Sequence, residues 1–495
     1  MSKKILFFLD LFTLHFGLAN YLQKNTDHEL YALVDITDKP KSFFQNQKIV
    51  NFKKTWYYHD SINSKQKTNS DYLDDAGKKY ELNLKQLISN DRFFSHHNTF
   101  YDFSHDEIIS ILSHEMKLFE NILQDSKPDF LIMFQPSLRH EFTFYQVCKK
   151  SGVIPIIINP SLMGYRIFLS DEINLSKKIN LNDNVSIKKS FKELQNYYHE
   201  YNVNKQINDY VNDFASSKTE LLSAANEFLI KSDNSNEKTH YTYFGRTKSN
   251  VFFDSLKRKF RKKTRSKFII KNLETELPSK PFIYFPLQVE PDRNLLLGAP
   301  EFTNQLHSIN EIMKSLPNNF QLCVKEHPGQ NRDWREISFY KKIIDLPNVT
   351  LLQPNIPSSK IYEKSSMVIT SAGTSGFEAL FYGKPVITFA DTLYSIIPSV
   401  QKMNSFNELP SLIKKGLEMN ITPEYLEKFL FSLEKNSFDF DLFGYYTMQA
   451  NEFFYGSHLI DVKIPISKME NFLEKNSRLF EIVGTQIQKQ IINHN

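Results

Sequence analysis

Only two cysteines, Cys148 and Cys323, occur in 495 residues. Cys148 falls in a helical pattern and Cys323 in an apolar strand pattern, so neither a disulfide framework nor a thiolate metal site is available. A reducing compartment fits that scarcity. Long apolar runs are also missing: no window approaches the ~18 consecutive apolar residues that span a bilayer, which leaves only peripheral contact with a membrane. Nor does one sign of charge dominate, since 61 Lys and Arg face 56 Asp and Glu for a formal net charge of +5. Over this length that balance does not argue for nucleic acid. The N-terminus, Met1-Ser-Lys-Lys followed by Ile5-Leu-Phe-Phe-Leu9, imitates a signal peptide until Asp10 and His15 interrupt it. A short apolar run ending in Asp reads better as the first strand of an α/β domain, and a cytoplasmic location is expected.

What is abundant is core material: 41% of residues are hydrophobic and 14% aromatic, led by 43 Phe and 24 Tyr. A prior of roughly 150 residues per domain predicts two large domains with appended helices. In the first half, strand patterns at Lys4–Leu11, His28–Ile36, Lys48–Phe52, Pro128–Phe134 and Val153–Ile158 alternate with helical patterns at Leu14–Lys24, Asp106–Gln124 and Glu141–Ser151. Continuous apolar runs separated by helices are the pattern of parallel strands covered on both faces. Residues 170–250 are polar and helical, the edge of a first domain spanning 1–265. Strands return at Phe282–Phe285, Gln321–Lys325, Val349–Leu352, Met367–Thr370 and Val386–Phe389, with helices over Thr303–Ser315 and near Trp334–Ile344. These define a second domain at 266–400, and 401–495 reads as a helical region. The fold class is α/β with two Rossmann-like domains.

Three segments leave strands of the second domain at the carboxyl edge, where open α/β sheets bind ligands. The first is Ser371-Ala-Gly-Thr-Ser-Gly376, ahead of a helix predicted over Phe377–Tyr382. Gly373 and Gly376 let the backbone approach an anion, and Ser371, Thr374 and Ser375 add hydroxyls beside the positive end of the helix, so a phosphate fits without a metal. The alternative is a Ser375–Glu378 capping box closed by Gly383 and Pro385. The second is Lys325-Glu326-His327-Pro328, where an imidazole could donate to a leaving phosphate and Pro328 would fix the turn; a lone loop histidine is the alternative. The third is Pro286–Asn294. Here Glu290 or Asp292 could deprotonate an acceptor hydroxyl and Arg293 could pair with an anionic donor, or the loop is a solvated charged turn.

Together, Tyr284-Phe-Pro-Leu-Gln288, Gln305, Val324–Pro328, Pro347-Asn-Val349, Gly373–Ala379, Gly383-Lys-Pro385 and Tyr394 resemble bacterial capsule and surface polysaccharide biosynthesis proteins. These are GT-B glycosyltransferase-like proteins related to enzymes that transfer Kdo or sialic acid from CMP-activated donors. Lys127-Pro-Asp129, Gln135-Pro136 and Asn159–Leu169 are similar to N-terminal segments of the family. The resemblance implies two Rossmann-like domains facing a cleft and a CMP- or UDP-linked sugar as donor substrate, without a resident cofactor. It implies that His327 and the Ser371/Thr374/Ser375 turn hold the donor's nucleotide phosphate, with Glu378 near the ribose; Lys325, Pro328, Gly373, Gly376 and Arg293 complete the nucleotide-sugar site expected from the three loops. The chain departs from the family at Glu290-Pro-Asp292, Phe389-Ala390 and Leu393-Tyr394, which leaves the donor sugar open.

On the acceptor side Asp10, His15 and Gly17 follow the first strand, and Asp10 is assigned as catalytic base beside Glu290, Asp292 and His327. His96-His97, Arg139-His140-Glu141 and Arg166 are further candidates, and no metal is expected because no carboxylate or Cys stands at ligand spacing from the His-His pair. The basic run Lys257–Lys267 is a solvated linker, a peripheral anchor to anionic lipid with Phe252, Phe253, Leu256 and Phe260, or, last in rank, a nucleic-acid contact. The expected function is transfer of a sugar from a nucleotide donor to a capsule or lipid-linked acceptor, at the inner face of the cell membrane if the anchor operates. A nucleotide-sugar epimerase, a glycerophosphate-type transferase and a non-catalytic glycan-assembly protein are the alternatives.

Overall fold

The computed structural model describes residues 2–494 except 65–69, 95–97, 174–178, 183–188, 202–205, 207–217, 232–239, 291–292 and 331–334. Asp292 and the His96-His97 pair therefore lie outside the described residues. The chain forms two compact units: residues 1–173, 201–250 and 437–495 in one, residues 174–200 and 251–436 in the other.

The first unit holds β1 (Lys4–Leu9), β2 (Glu29–Val34), β3 (Lys54–Tyr57), β4 (Phe130–Phe134), β5 (Ile154–Pro160), β6 (Arg166–Ser170) and β13 (Phe438–Asp439). Their order is β13-β6-β5-β4-β1-β2-β3. The pairs from β5 to β3 are parallel, while β6 and β13 add antiparallel edges. Alternation along β1 sends Ile5, Phe7 and Leu9 into one core and Leu6 and Phe8 into the other, so both faces are covered.

One face is covered by helix Thr13–Asn25 together with the C-terminal helices Leu442–Phe453, Ile466–Lys475 and Ser477–Asn493. Close packing there uses glycines: a Cβ at Gly17 would overlap the Phe480 ring, and one at Gly484 would overlap Tyr21. Gly17 thus serves helix packing. The partition differs from a linear division at 265 and 400, because Phe440, Tyr445, Phe472 and Phe480 complete the core begun by β1 and carry the chain's end back to the first unit.

The second unit holds β7 (Phe282–Pro286), β8 (Gln321–Lys325), β9 (Val349–Leu352), β10 (Met367–Thr370), β11 (Val386–Thr388) and β12 (Val400–Lys402). They form one sheet in the order β12-β11-β10-β7-β8-β9, parallel throughout. Counted within each unit, the parallel strands run 3-2-1-4-5, extended to 6 in the second, which is the doubly wound order. The sequence expectation of two Rossmann-like α/β domains with C-terminal helices is met.

Several elements differ from the sequence pattern. Residues 48–52 are not a strand, since Gln47 Oε1 accepts from Val50 N (2.9 Å) and Gln23 Oε1 accepts from Asn51 N, satisfying that backbone without a ladder. The strand comes later, at β3, in register with β2. β12 and β13 are too short for an apolar run to announce them. The basic run is part of a continuous helix, Lys248–Asn272.

Candidate functional site

In a doubly wound sheet the ligand crevice opens where the strand order reverses, here between β7 and β10. The loops leaving these strands are tied together. Gln288 Nε2 donates to Thr370 Oγ1 at 3.3 Å, which also accepts from Gly373 N at 3.2 Å, and a Cβ at Gly373 would stand 2.8 Å from the Gln288 carboxamide. Gly373 is thus required for close approach of the two loops. Its carbonyl accepts from Tyr394 Oη at 2.5 Å, and the same hydroxyl fills the space beside Gly376.

The helix after this turn spans Thr374–Leu380, starting three residues before the predicted onset, because Gly373 is extended (φ −81°, ψ 160°) and turns the chain directly into it. Ser375 is consequently inside the helix, and the Ser375–Glu378 capping box does not form. Glu378 instead accepts from Thr374 Oγ1 (3.3 Å) and Tyr362 Oη (3.2 Å). Ser371 is fully buried, and its Oγ has no hydrogen-bond partner among the described residues, whereas Thr374 and Ser375 are partly exposed beside the first-turn amides.

Lys325 ends β8 and is buried, its Nζ donating to Ile356 O (2.7 Å) and Ser358 Oγ (2.9 Å). Burial lowers its pKa to about 8 against the opposing pull of Glu378. The ammonium is therefore charged at pH 7 and largely neutral at pH 9, so an anion held by that charge should bind ~tenfold more weakly at pH 9. Titration calorimetry with a nucleoside phosphate at both pH values checks this, and Lys325→Met should abolish the difference. Unfolding is not the cause expected from this residue: between about pH 8 and 10.5 the unfolded chain holds more protons on it, so its contribution to stability rises with pH.

Glu326 is buried and engaged, accepting from Arg335 Nη1, Tyr340 Oη and the His327 amide. His327 and Pro328 are exposed. His327 Nδ1 accepts from Gly329 N at 3.0 Å, so in the neutral ring Nε2 carries the proton. Glu290 is less open than a free base: Gln305 Nε2 donates to its Oε1, and Arg335 Nη2 lies 3.3 Å from the same oxygen. Arg293 donates to Asn294 Oδ1 at 2.9 Å. Arg335, also bonded to Gln288 O at 2.8 Å, joins the loops after β7 and β8. The sequence did not single it out, because one Arg at the start of a helical pattern resembles an ordinary surface charge.

In the first unit the switch point lies between β1 and β4. Asp10 follows β1, accepts from Phe12 N at 2.8 Å and lies 3.7 Å from His15 Nδ1. His15 is fully buried between Phe12 and Phe134, which removes it from any exposed site. Asp35 follows β2 as Asp10 follows β1, and it bridges two imidazoles: His140 Nε2 at 2.7 Å and His59 Nε2 at 3.1 Å. Burial alone would lower the His140 pKa, but Asp35 outweighs it and raises it to about 9. Asp35 is correspondingly held well below the usual carboxylate range despite its burial. Burial raises Glu141, which accepts from Ser137 N and Leu138 N (2.6 and 3.0 Å) at the start of its helix. Arg166 ties β6 to β13 through Ser437 and Asp439.

Asp35, His140 and Glu141 each offer an atom within 4.8 Å of the others, the one group with metal-ligand spacing among the described residues. Asp35 is already paired with both imidazoles and Glu141 Oε2 with the Ser137 and Leu138 amides, while His140 Nδ1 has no hydrogen-bond partner among the described residues.

Residues 192–405 match the family described as capsule polysaccharide biosynthesis protein. Protein FixF of Sinorhizobium fredii is 28% identical over 130 residues, a stretch covering 26% of this chain and 31% of FixF. The chain thus matches less than a third of that relative's length. Among solved structures, the β-Kdo 2,7-transferase KpsC of Thermosulfurimonas dismutans aligns with 13% identity and a TM-score of 0.32, covering 68% of this chain and 82% of KpsC. The UDP-GlcNAc 2-epimerase of Methanocaldococcus jannaschii aligns with 13% identity and a TM-score of 0.26, covering 85% and 95%. The matched residues 192–405 contain β7 to β12 and their loops.

Proposed function

We propose that this protein is a glycosyltransferase that moves a sugar from a nucleotide-activated donor to a growing capsule polysaccharide or a lipid-linked acceptor. The observation that carries the reading is the convergence of the loops after β7, β8 and β10 at the switch point of the second sheet, all within the segment matching the capsule family. In this reading the first-turn amides at Thr374 and Ser375, with Lys325 and His327, receive the nucleotide phosphates. Glu378, held by Thr374 and Tyr362, faces the ribose. As the acceptor oxygen bonds to the anomeric carbon and the bond to the leaving phosphate breaks, these groups stabilise the charge gathering on phosphate. The acceptor proton passes to a carboxylate, for which we assign Asp10.

His327→Ala should weaken nucleotide binding or turnover at least ~tenfold, as loss of a charge-assisted hydrogen bond would, with thermal unfolding unchanged because the side chain is exposed. An unchanged rate removes His327 from the site. Calorimetry with CMP, UDP, CDP and ADP tests the cradle, and failure of all four would replace the reading with a non-catalytic assembly role. An isomerised donor formed without acceptor would replace it with an epimerase.

A further inference from the structure

Helix Lys248–Asn272 is packed along only one side. Arg265 is buried and donates to Gln330 O at 2.8 Å, while Phe268 and Ile269 pack against the core of the second unit. At 100° per residue, Phe252, Leu256, Phe260, Lys263, Lys267 and Ile270 form one stripe on the side opposite Arg265, with Phe253 beside it. The apolar members are strongly exposed: Phe252 52%, Phe253 66%, Leu256 48%, Phe260 73% and Ile270 71%. Helical spacing normally turns such residues inward, so a row of them outward is the informative departure.

Charge decides what covers the stripe. Lys257, Lys259, Arg261, Lys262, Lys263 and Lys267 are all exposed on the same helix, and its single acid, Asp254, is paired with Arg258 at 2.6 Å. An apolar row flanked by Lys and Arg is the pattern of a helix lying in a lipid interface, rings among the acyl chains and ammonium groups at anionic headgroups. No helix among the described residues is long and apolar enough to cross a membrane, so surface attachment is the mode left to this helix. From the outward stripe and its basic border we infer that Lys248–Asn272 is a docking surface for an anionic phospholipid membrane. The inference is independent of the transferase reading.

The test is sedimentation of the full chain with vesicles of phosphatidylcholine alone or with 30% (roughly) phosphatidylglycerol. Binding is expected only to the anionic vesicles and should fall steeply with added salt. At ~5-fold per basic side chain, Lys259→Gln/Lys263→Gln/Lys267→Gln should weaken it ~100-fold. Phe253→Ser/Phe260→Ser should also release the protein, with an unchanged melting temperature because both rings are exposed. Equal binding to neutral and anionic vesicles, or none to either, overturns the inference. So does a concentration-dependent dimer in light scattering that the Phe double variant abolishes, since the stripe would then be covered by a second copy of the chain.

Discussion

Arg139→Met should destabilise the first unit by ~3–5 kcal/mol at pH 7, the range for breaking a buried ion pair on one side. The guanidinium donates to Asp91 and, through Nη1, to both oxygens of Glu115 at 2.7 and 2.9 Å. All three side chains are almost completely buried. Methionine keeps most of the apolar stem but leaves two carboxylates without their cation. Tyr58, which donates to Glu115 at 3.0 Å, and the Phe93 amide, which donates to Asp91, cannot supply the missing charge. Urea unfolding at pH 7 checks this loss. Adding Glu115→Gln and Asp91→Asn should restore much of the loss, because the uncompensated charge is gone; a single-variant cost under ~1 kcal/mol would mean that water already reaches the network.

The largest expected effect on activity is at Asp10. Asp10→Asn should lower kcat ~10²–10⁴-fold, the usual worth of a positioned general base, while nucleotide affinity changes less than ~twofold. Asparagine retains an Oδ1 to accept from the Phe12 amide, so the loop after β1 keeps its geometry and the lost property is basicity. Stopped-time assays of sugar transfer combined with calorimetry separate the two effects. A rate within ~threefold of wild type would remove Asp10 and pass the role to Glu141, whose carboxyl is raised by burial at the same sheet edge. Equal losses of turnover and nucleotide binding would instead mark Asp10 as structural.

Much of the second sheet is legible locally. Gln321–Lys325, Val349–Leu352 and Met367–Thr370 are apolar runs of strand length, and each is a strand with those ends. The loops that follow β7, β8 and β10 are recognisable from strand ends alone, because the carboxyl edge of a parallel sheet is set by chain direction. The same rule selects Asp10 after β1. Asp35 stands in the same position after β2.

Other residues took their roles from partners that local sequence does not announce. Glu290 stands in a charged loop, and only the approach of Arg335 and Gln305 engages its carboxylate. His15 looks as available as Asp10 until Phe12 and Phe134 enclose it. The return of residues 437–495 to the first unit depends on Phe480 seating over Gly17 and Tyr21 over Gly484, contacts between segments more than 400 residues apart.

By itself, then, the sequence determined the fold class and the carboxyl-edge loops of the second sheet, since apolar periodicity and strand-to-helix turns are local properties. Tertiary structure alone decided that Ser371 is enclosed, that Glu326 is held by Arg335 and Tyr340, and that the basic run is a helix with its apolar stripe outward. The reason is physical: burial, ion pairing and the choice of helix face depend on which distant surfaces meet, and that is settled by packing.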